Sequence, residues 1–180
     1  MFENTLKAGD KFSLAGIEWI CLDPDFKEKN ECGVLAISAE VIDEGPFSRN
    51  GSADYRNSDI RKLMNKVADK IGRSNLITHT VDLTADNGDK RFGTIEDDVF
   101  ILSVDEYRKY RDYVPHYPEW MWTCTPWYID DSGNAYSARC VSPSGTVSYY
   151  GANSGFGRAS ACVIKKSAIA ALAAFREVDE

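Results

Sequence analysis

At 180 residues the chain suits one domain, 1–180, because a chain of this size buries roughly 70% of the surface its unfolded form exposes. An apolar fraction of 43% and a charged fraction of 27% exclude disorder on a large scale. The net charge of −7 and pI near 4.9 argue against a nucleic-acid-binding face, which would gather Lys and Arg to neutralise phosphates. The excess acid serves solubility, or else forms an acidic surface that meets a basic partner.

Residues Met1 to Asp10 lack a basic start followed by an apolar run, so they do not read as a secretory signal. No stretch approaches the roughly 20 apolar residues of a membrane span. The expectation is folding in the cytoplasm, no membrane, and a phage particle as a further destination.

Apolar Phe12, Leu14, Ile17, Trp19 and Cys21 alternate around Ala15-Gly16, which predicts a β-hairpin turning near Gly16. Asp23 to Asp25 and Lys27 to Asn30 are turn-prone, and Cys32 to Ile42 supplies a third strand. Ile60, Leu63, Met64, Val67 and Ile71 mark a helix capped by Asn57 or Ser58 and stopped at Gly72. Leu76 to Leu83 reads as a short strand, with Asp86, Asn87 and Gly88 as a turn. Val99 to Leu102 reads as a buried strand, and Ser103 with Glu106 forms a capping box opening a helix to about Tyr110. Ser167 to Val178, with Ile169, Leu172 and Phe175 at helical spacing, predicts a C-terminal helix.

Between these, Trp120 to Ile164 crowds aromatic, small and turn-forming residues together. Tyr and Trp offer rigid contact area with a polar tip, while Ser, Gly and Asn offer adaptable hydrogen bonds, the chemistry of binding surfaces. Gly151, Gly155 and Gly157 let a long loop turn back and form no phosphate-binding fingerprint.

Several short motifs then fall in a shared order. They are Tyr55, Ser58, Ile60, Arg61, Leu63 and Asn65; Asp97 or Asp98 with Val99 to Ser103 and Glu106-Tyr107; Trp122 with Thr125-Pro126; Val141, Gly145 and Val147; and Ser160 to Ile164. Together they resemble a bacterial and phage domain-of-unknown-function family with a C-type-lectin-like fold. That family carries an Arg after Trp-Leu and Arg-Pro-Ala near its end. Here Cys124 and Ala159, Ser160 and Ala161 stand there, with Arg158 one position away. The resemblance implies an α+β domain of small antiparallel sheets, two main helices, a loop-rich second half and a C-terminal helix. Relatives of that fold include carbohydrate-binding lectins, phage receptor-binding and retroelement-diversified proteins, and formylglycine-generating enzymes. Fold alone does not choose among them.

Catalytic signals are thin. The histidines are His79, in a strand, and His116, in a Pro-flanked loop; the five cysteines, an odd number without zinc-ligand spacing, read as reduced buried thiols. Cys124 and His116 are the best candidates for a Cys/His enzyme, and Cys124 and Cys140 are too separated for a formylglycine-type pair. Glu96 to Asp98 and Asp130-Asp131 invite a Ca²⁺ reading, but Asp130 to Asn134 fits a hairpin turn and no sugar-binding calcium motif accompanies it. No metal and no cofactor are expected.

The leading expectation is a non-enzymatic binding protein, phage- or mobile-element-associated, that recognises a protein or carbohydrate through Trp127, Tyr128, Tyr136, Tyr149, Tyr150, Asn153 and Arg158. The alternative is an acidic inhibitor of a basic host defence or nucleic-acid-handling protein. A Cys/His enzyme stands third.

Overall fold

The computed structural model describes residues 6–176. In chain order its elements begin with β1 (Lys11–Leu14), β2 (Ile17–Glu28), β3 (Glu31–Ser38) and β4 (Asp43–Pro46). Helix α1 (Asp59–Ile71) follows, then β5 (Leu76–Ile77), β6 (His79–Asp82), β7 (Thr94–Asp97), β8 (Val99–Phe100) and helix α2 (Val104–Tyr110). The second half holds β9 (Met121–Pro126), β10 (Ser137–Val141), β11 (Val147–Gly151), β12 (Gly155–Arg158), β13 (Ala161–Lys165) and helix α3 (Lys166–Arg176). The fold is α+β.

The first hairpin closes through Ala15 and Gly16, whose φ values of 55° and 72° are both positive, the geometry that matches the right-handed twist of its strands. Where the composition reads as a turn at Asp23 to Asp25, β2 instead continues to Glu28. Its register against β3 shifts between Asp23 and Phe26, so Pro24, which has no N–H to give, lies in the irregular stretch of the ladder. The expected single strand from Leu76 to Leu83 is two, split at Thr78, with β5 and β6 in different sheets.

Helix α1 forms where its period predicts. Ser58 Oγ accepts from the Arg61 N–H at 3.1 Å, Gly72 at φ 90° stops the helix, and Ile60, Met64, Val67 and Ile71 are buried. The capping box of α2 is complete in both directions, with Ser103 Oγ accepting from Glu106 N–H and Glu106 Oε2 accepting from Ser103 N–H. In α3, Ile169 and Leu172 pack on the core, while the Phe175 side chain and Val178 lie outside the described part.

One sheet has the order β1-β2-β3-β13-β5, with β8 also pairing β13. The C-terminal strand therefore sits inside the N-terminal sheet, antiparallel to β3. Gly33 permits this: a Cβ there would lie 2.7 Å from the Ile164 carbonyl oxygen and 2.9 Å from Val163. The second sheet runs β11-β10-β9-β12-β4, and β6-β7 is a separate ribbon. Fully buried Trp19, Leu35, Phe47, Tyr55, Met64, Phe100 and Trp122 belong to one continuous core. In the second half the strands β9 to β13 alternate with irregular stretches, 111–120 and 127–136 among them.

Candidate recognition surface

The β10–β11 hairpin turns through residues 142–146, with Gly145 N–H donating to Ser142 O and Ser142 N–H to Thr146 O, each at 2.9 Å. Gly145 has φ 81° and supplies the left-handed position. The Tyr107 hydroxyl donates to Gly145 O at 3.3 Å, and His116 Nδ1 lies 3.0 Å from Pro143 O, so α2 and the loop after it hold this turn. On its other side β11 pairs with no strand among the described residues.

Successive residues of a strand point to opposite faces, so Tyr149 and Tyr150 diverge. Tyr149 stands opposite Arg139 and Tyr150 opposite Ala138. Tyr149 stacks on Trp127 with centroids 3.7 Å apart and planes 9° apart, and Tyr128 meets Trp127 edge-on at 5.1 Å. The Arg139 guanidinium carbon lies 5.8 Å from the Tyr149 ring centre, and its Nη2 pairs with Asp86. On the opposite face, Tyr150 meets Trp120 and Phe156 edge-on at 5.3 and 5.1 Å, and Phe156 continues to buried Trp122 at 4.8 Å.

Five large hydrophobic side chains are exposed among the described residues, and four belong here: Tyr128 at 42%, Tyr136 at 55%, Tyr149 at 42% and Tyr150 at 44%. Tyr136 is tied to the end of β11 through the backbone, its carbonyl accepting from Ala152 N–H at 2.9 Å. Asn153 is exposed in the turn between β11 and β12. The seven residues singled out from composition are therefore not one flat patch. Six of them surround an edge strand from both faces and its end.

Arg158 is apart from them. It is buried, with Nη1 3.2 Å from Asp43 and Nη2 donating to Pro46 O at 2.6 Å, and it clamps β12 to β4. A Cβ on Gly45 would collide with this guanidinium, which explains the glycine.

Beside the Trp127 face opens a cleft of about 370 Å³ between the β6–β7 connection and the start of α2. Asp82, Asp86, Asp105 and Glu106 line it together with Arg108 and Thr125. Behind Glu106 lies a buried group that the sequence reading missed. His79 Nδ1 is 2.6 Å from Glu28 Oε2, and its Nε2 is 2.7 Å from Glu106 Oε1. Phe100 stacks on the imidazole at 4.3 Å, and Phe26 meets it edge-on at 5.7 Å. Burial works against the imidazolium, but Glu106 and then Glu28 outweigh it and hold the His79 pKa above 6.5. No spacing pattern announces this trio, whose members come from β2, β6 and α2. The capping box and the family motif flagged Glu106, each for a different role.

All but Asp131 of the acids that invited a metal are engaged otherwise. Asp97 accepts three bonds from Arg61, Asp98 accepts from Arg73 at 2.9 Å and Thr78 at 2.6 Å, and Glu96 pairs with Lys29. Asp130 Oδ1 accepts from Asn134 N–H at 2.8 Å, closing the turn. Among the described residues no group of three or more His, Cys, Asp or Glu is arranged to hold a metal ion.

Burial pushes the thiols of Cys21 and Cys140 up to about 12, and those of Cys124 and Cys162 upward as well. Cys124 lies within the core, and His116 sits in an exposed loop engaged with Pro143. A nucleophile at Cys124 would lack both a thiolate and access. No helix among the described residues is long and apolar enough to cross a membrane. No known protein family, curated protein or solved structure matches the chain.

Proposed function

We propose that this chain is a non-enzymatic binding protein that recognises a protein partner through the aromatic rim around β11. The observation that carries the reading is the exposure of Tyr128, Tyr136, Tyr149 and Tyr150 about one edge strand. Large, half-exposed, low-entropy tyrosines are the residues that anchor protein interfaces. A protein is favoured over a carbohydrate because Trp127 and Tyr149, the stacked pair of the rim, spend a ring face on each other. Trp127 covers Tyr149 with planes 9° apart, so ring edges and hydroxyls, rather than an open platform for a sugar, meet the solvent.

The C-type-lectin-like assignment and the phage or mobile-element association belong to the same proposal. Both rest on the order of motifs, and the fold assignment is further supported by the pairing of β13 with β3, which closes the two ends of the domain on each other.

The test is capture of a partner with the wild-type chain, followed by titration of Tyr149→Ala and Tyr150→Ala against it. Each anchor is expected to cost about 2 kcal/mol, roughly 30-fold in affinity. Tight binding to an array of glycans, abolished by the same substitutions, would instead select the carbohydrate reading.

A second reading rests on the four carboxylates lining the cleft beside Trp127, where a basic host protein would find its counter-charges. Its affinity would fall steeply with added salt, whereas recognition through the tyrosines would respond weakly.

A further inference from the structure

His79, buried and held at both ring nitrogens, takes no part in the aromatic rim. It sits on β6, opposite Asp97 of β7 in the ribbon, but Asp97 is turned to Arg61 and satisfied there. Two charged groups act on the imidazole: Glu106 from α2 and Glu28 from β2. The rings of Phe100 and Phe26 pack against it, and Thr80 Oγ1 donates to the second Glu28 oxygen at 3.2 Å.

Both ring nitrogens face carboxylate oxygens within 2.7 Å. A carboxylate only accepts, so both contacts are hydrogen bonds only if both nitrogens carry protons. Removing one proton turns a bond into a lone pair facing an anion. The two carboxylates do not share that strain equally. Glu28 is 10% exposed and is held also by Thr80, while Glu106 is 22% exposed and borders the cleft, where water can receive it. Glu106 is also the residue whose second oxygen caps the Ser103 N–H at the start of α2.

We propose that Glu28, His79 and Glu106 form a proton-operated latch, which fastens the first turn of α2 to β2 and β6 while the imidazole is charged and frees Glu106 toward the cleft when it is not. The charged state is the fastened state, and alkali opens it. A histidine held above its unfolded value contributes stability that is full below about 6.5 and is lost as pH rises through its folded value. The latch thus places a pH-dependent wall on the acidic cleft next to Trp127 and Arg139.

The whole chain carries only two histidines, so its imidazole spectrum is simple, and His116→Asn assigns it. The measurement is NMR titration of both imidazoles from about pH 5 to about pH 10, with amide-exchange protection of Glu106 and Tyr107 corrected for intrinsic rate. Those amides bond to Ser103 Oγ at 3.1 Å and Ser103 O at 2.9 Å, so they report the first turn of α2. The expected result is a His79 midpoint above the ordinary histidine range, protection that falls with that same midpoint, and a joint downward shift in Glu106→Gln. A His79 midpoint at or below the ordinary range, or protection that stays flat through its titration, would overturn the latch. Both readouts use the wild-type protein, so a variant that fails to fold does not remove the test.

Discussion

Arg61 and Asp97 show what a single pair of residues decides in this fold. Asp97 is almost fully buried, and Arg61 meets both its oxygens with Nε at 3.1 and 3.0 Å and one with Nη2 at 2.8 Å, while Nη1 reaches Arg56 O. Removing one partner of a buried pair strands the other charge. Arg61→Ala is therefore expected to cost about 3 kcal/mol, seen as a lower urea midpoint at unchanged slope. The cysteines give a second prediction. Four are buried and Cys32 alone is exposed, so one thiol per folded chain should react with a thiol reagent, and all five after denaturation. At this scale the sequence was legible where a side chain answers to its neighbours in the chain, as with Ser58, Ser103 and Glu106. Arg158 shows the opposite. Its composition and position suggested a ligand contact, but its partners Asp43 and Pro46 come from a strand 112 to 115 residues earlier, and no local pattern encodes them.

Elements followed their periodicity and failed where pairing overrode it. α1 and α2 were readable from caps and stripes, all local signals. The strand through Pro24 was not, because a proline is tolerated where a ladder slips, and the slip is decided by β3. The split of Leu76 to Leu83 was hidden too, since its two halves serve different sheets. Two substitutions probe element geometry. Ala15 holds a φ of 55°, which costs an L-residue roughly 1 kcal/mol, so Ala15→Asn, giving Asn before Gly16, should raise the thermal midpoint by a few degrees, about 1 kcal/mol. Gly33→Ala should do the reverse by about 1–3 kcal/mol, because its methyl meets the backbone of β13 and forces β3 and β13 apart.

Across the whole molecule, the order of the second sheet explains where the exposed aromatics gather. β11 is its edge, so the alternation that hides Trp122 and Cys140 in the middle leaves Tyr149 and Tyr150 at the rim, one on each face. Composition identified these tyrosines as surface chemistry; it did not reveal that they part to opposite faces, because that depends on the register of β10 against β11. The cleft, Arg139 and Asp86 join the Tyr149 face, and the His79 latch lies behind the cleft wall. Recognition at the rim makes a demand that a purely structural role for these residues does not. The most direct measurement is calorimetric affinity of the combined Tyr136→Ala, Tyr149→Ala and Tyr150→Ala variant for a partner captured by the wild-type chain, alongside the thermal midpoint of each protein. The predicted result is an affinity loss of at least about 100-fold, with a midpoint within a few degrees of wild type. Unchanged affinity in a folded variant would contradict the assignment of this rim as the recognition surface.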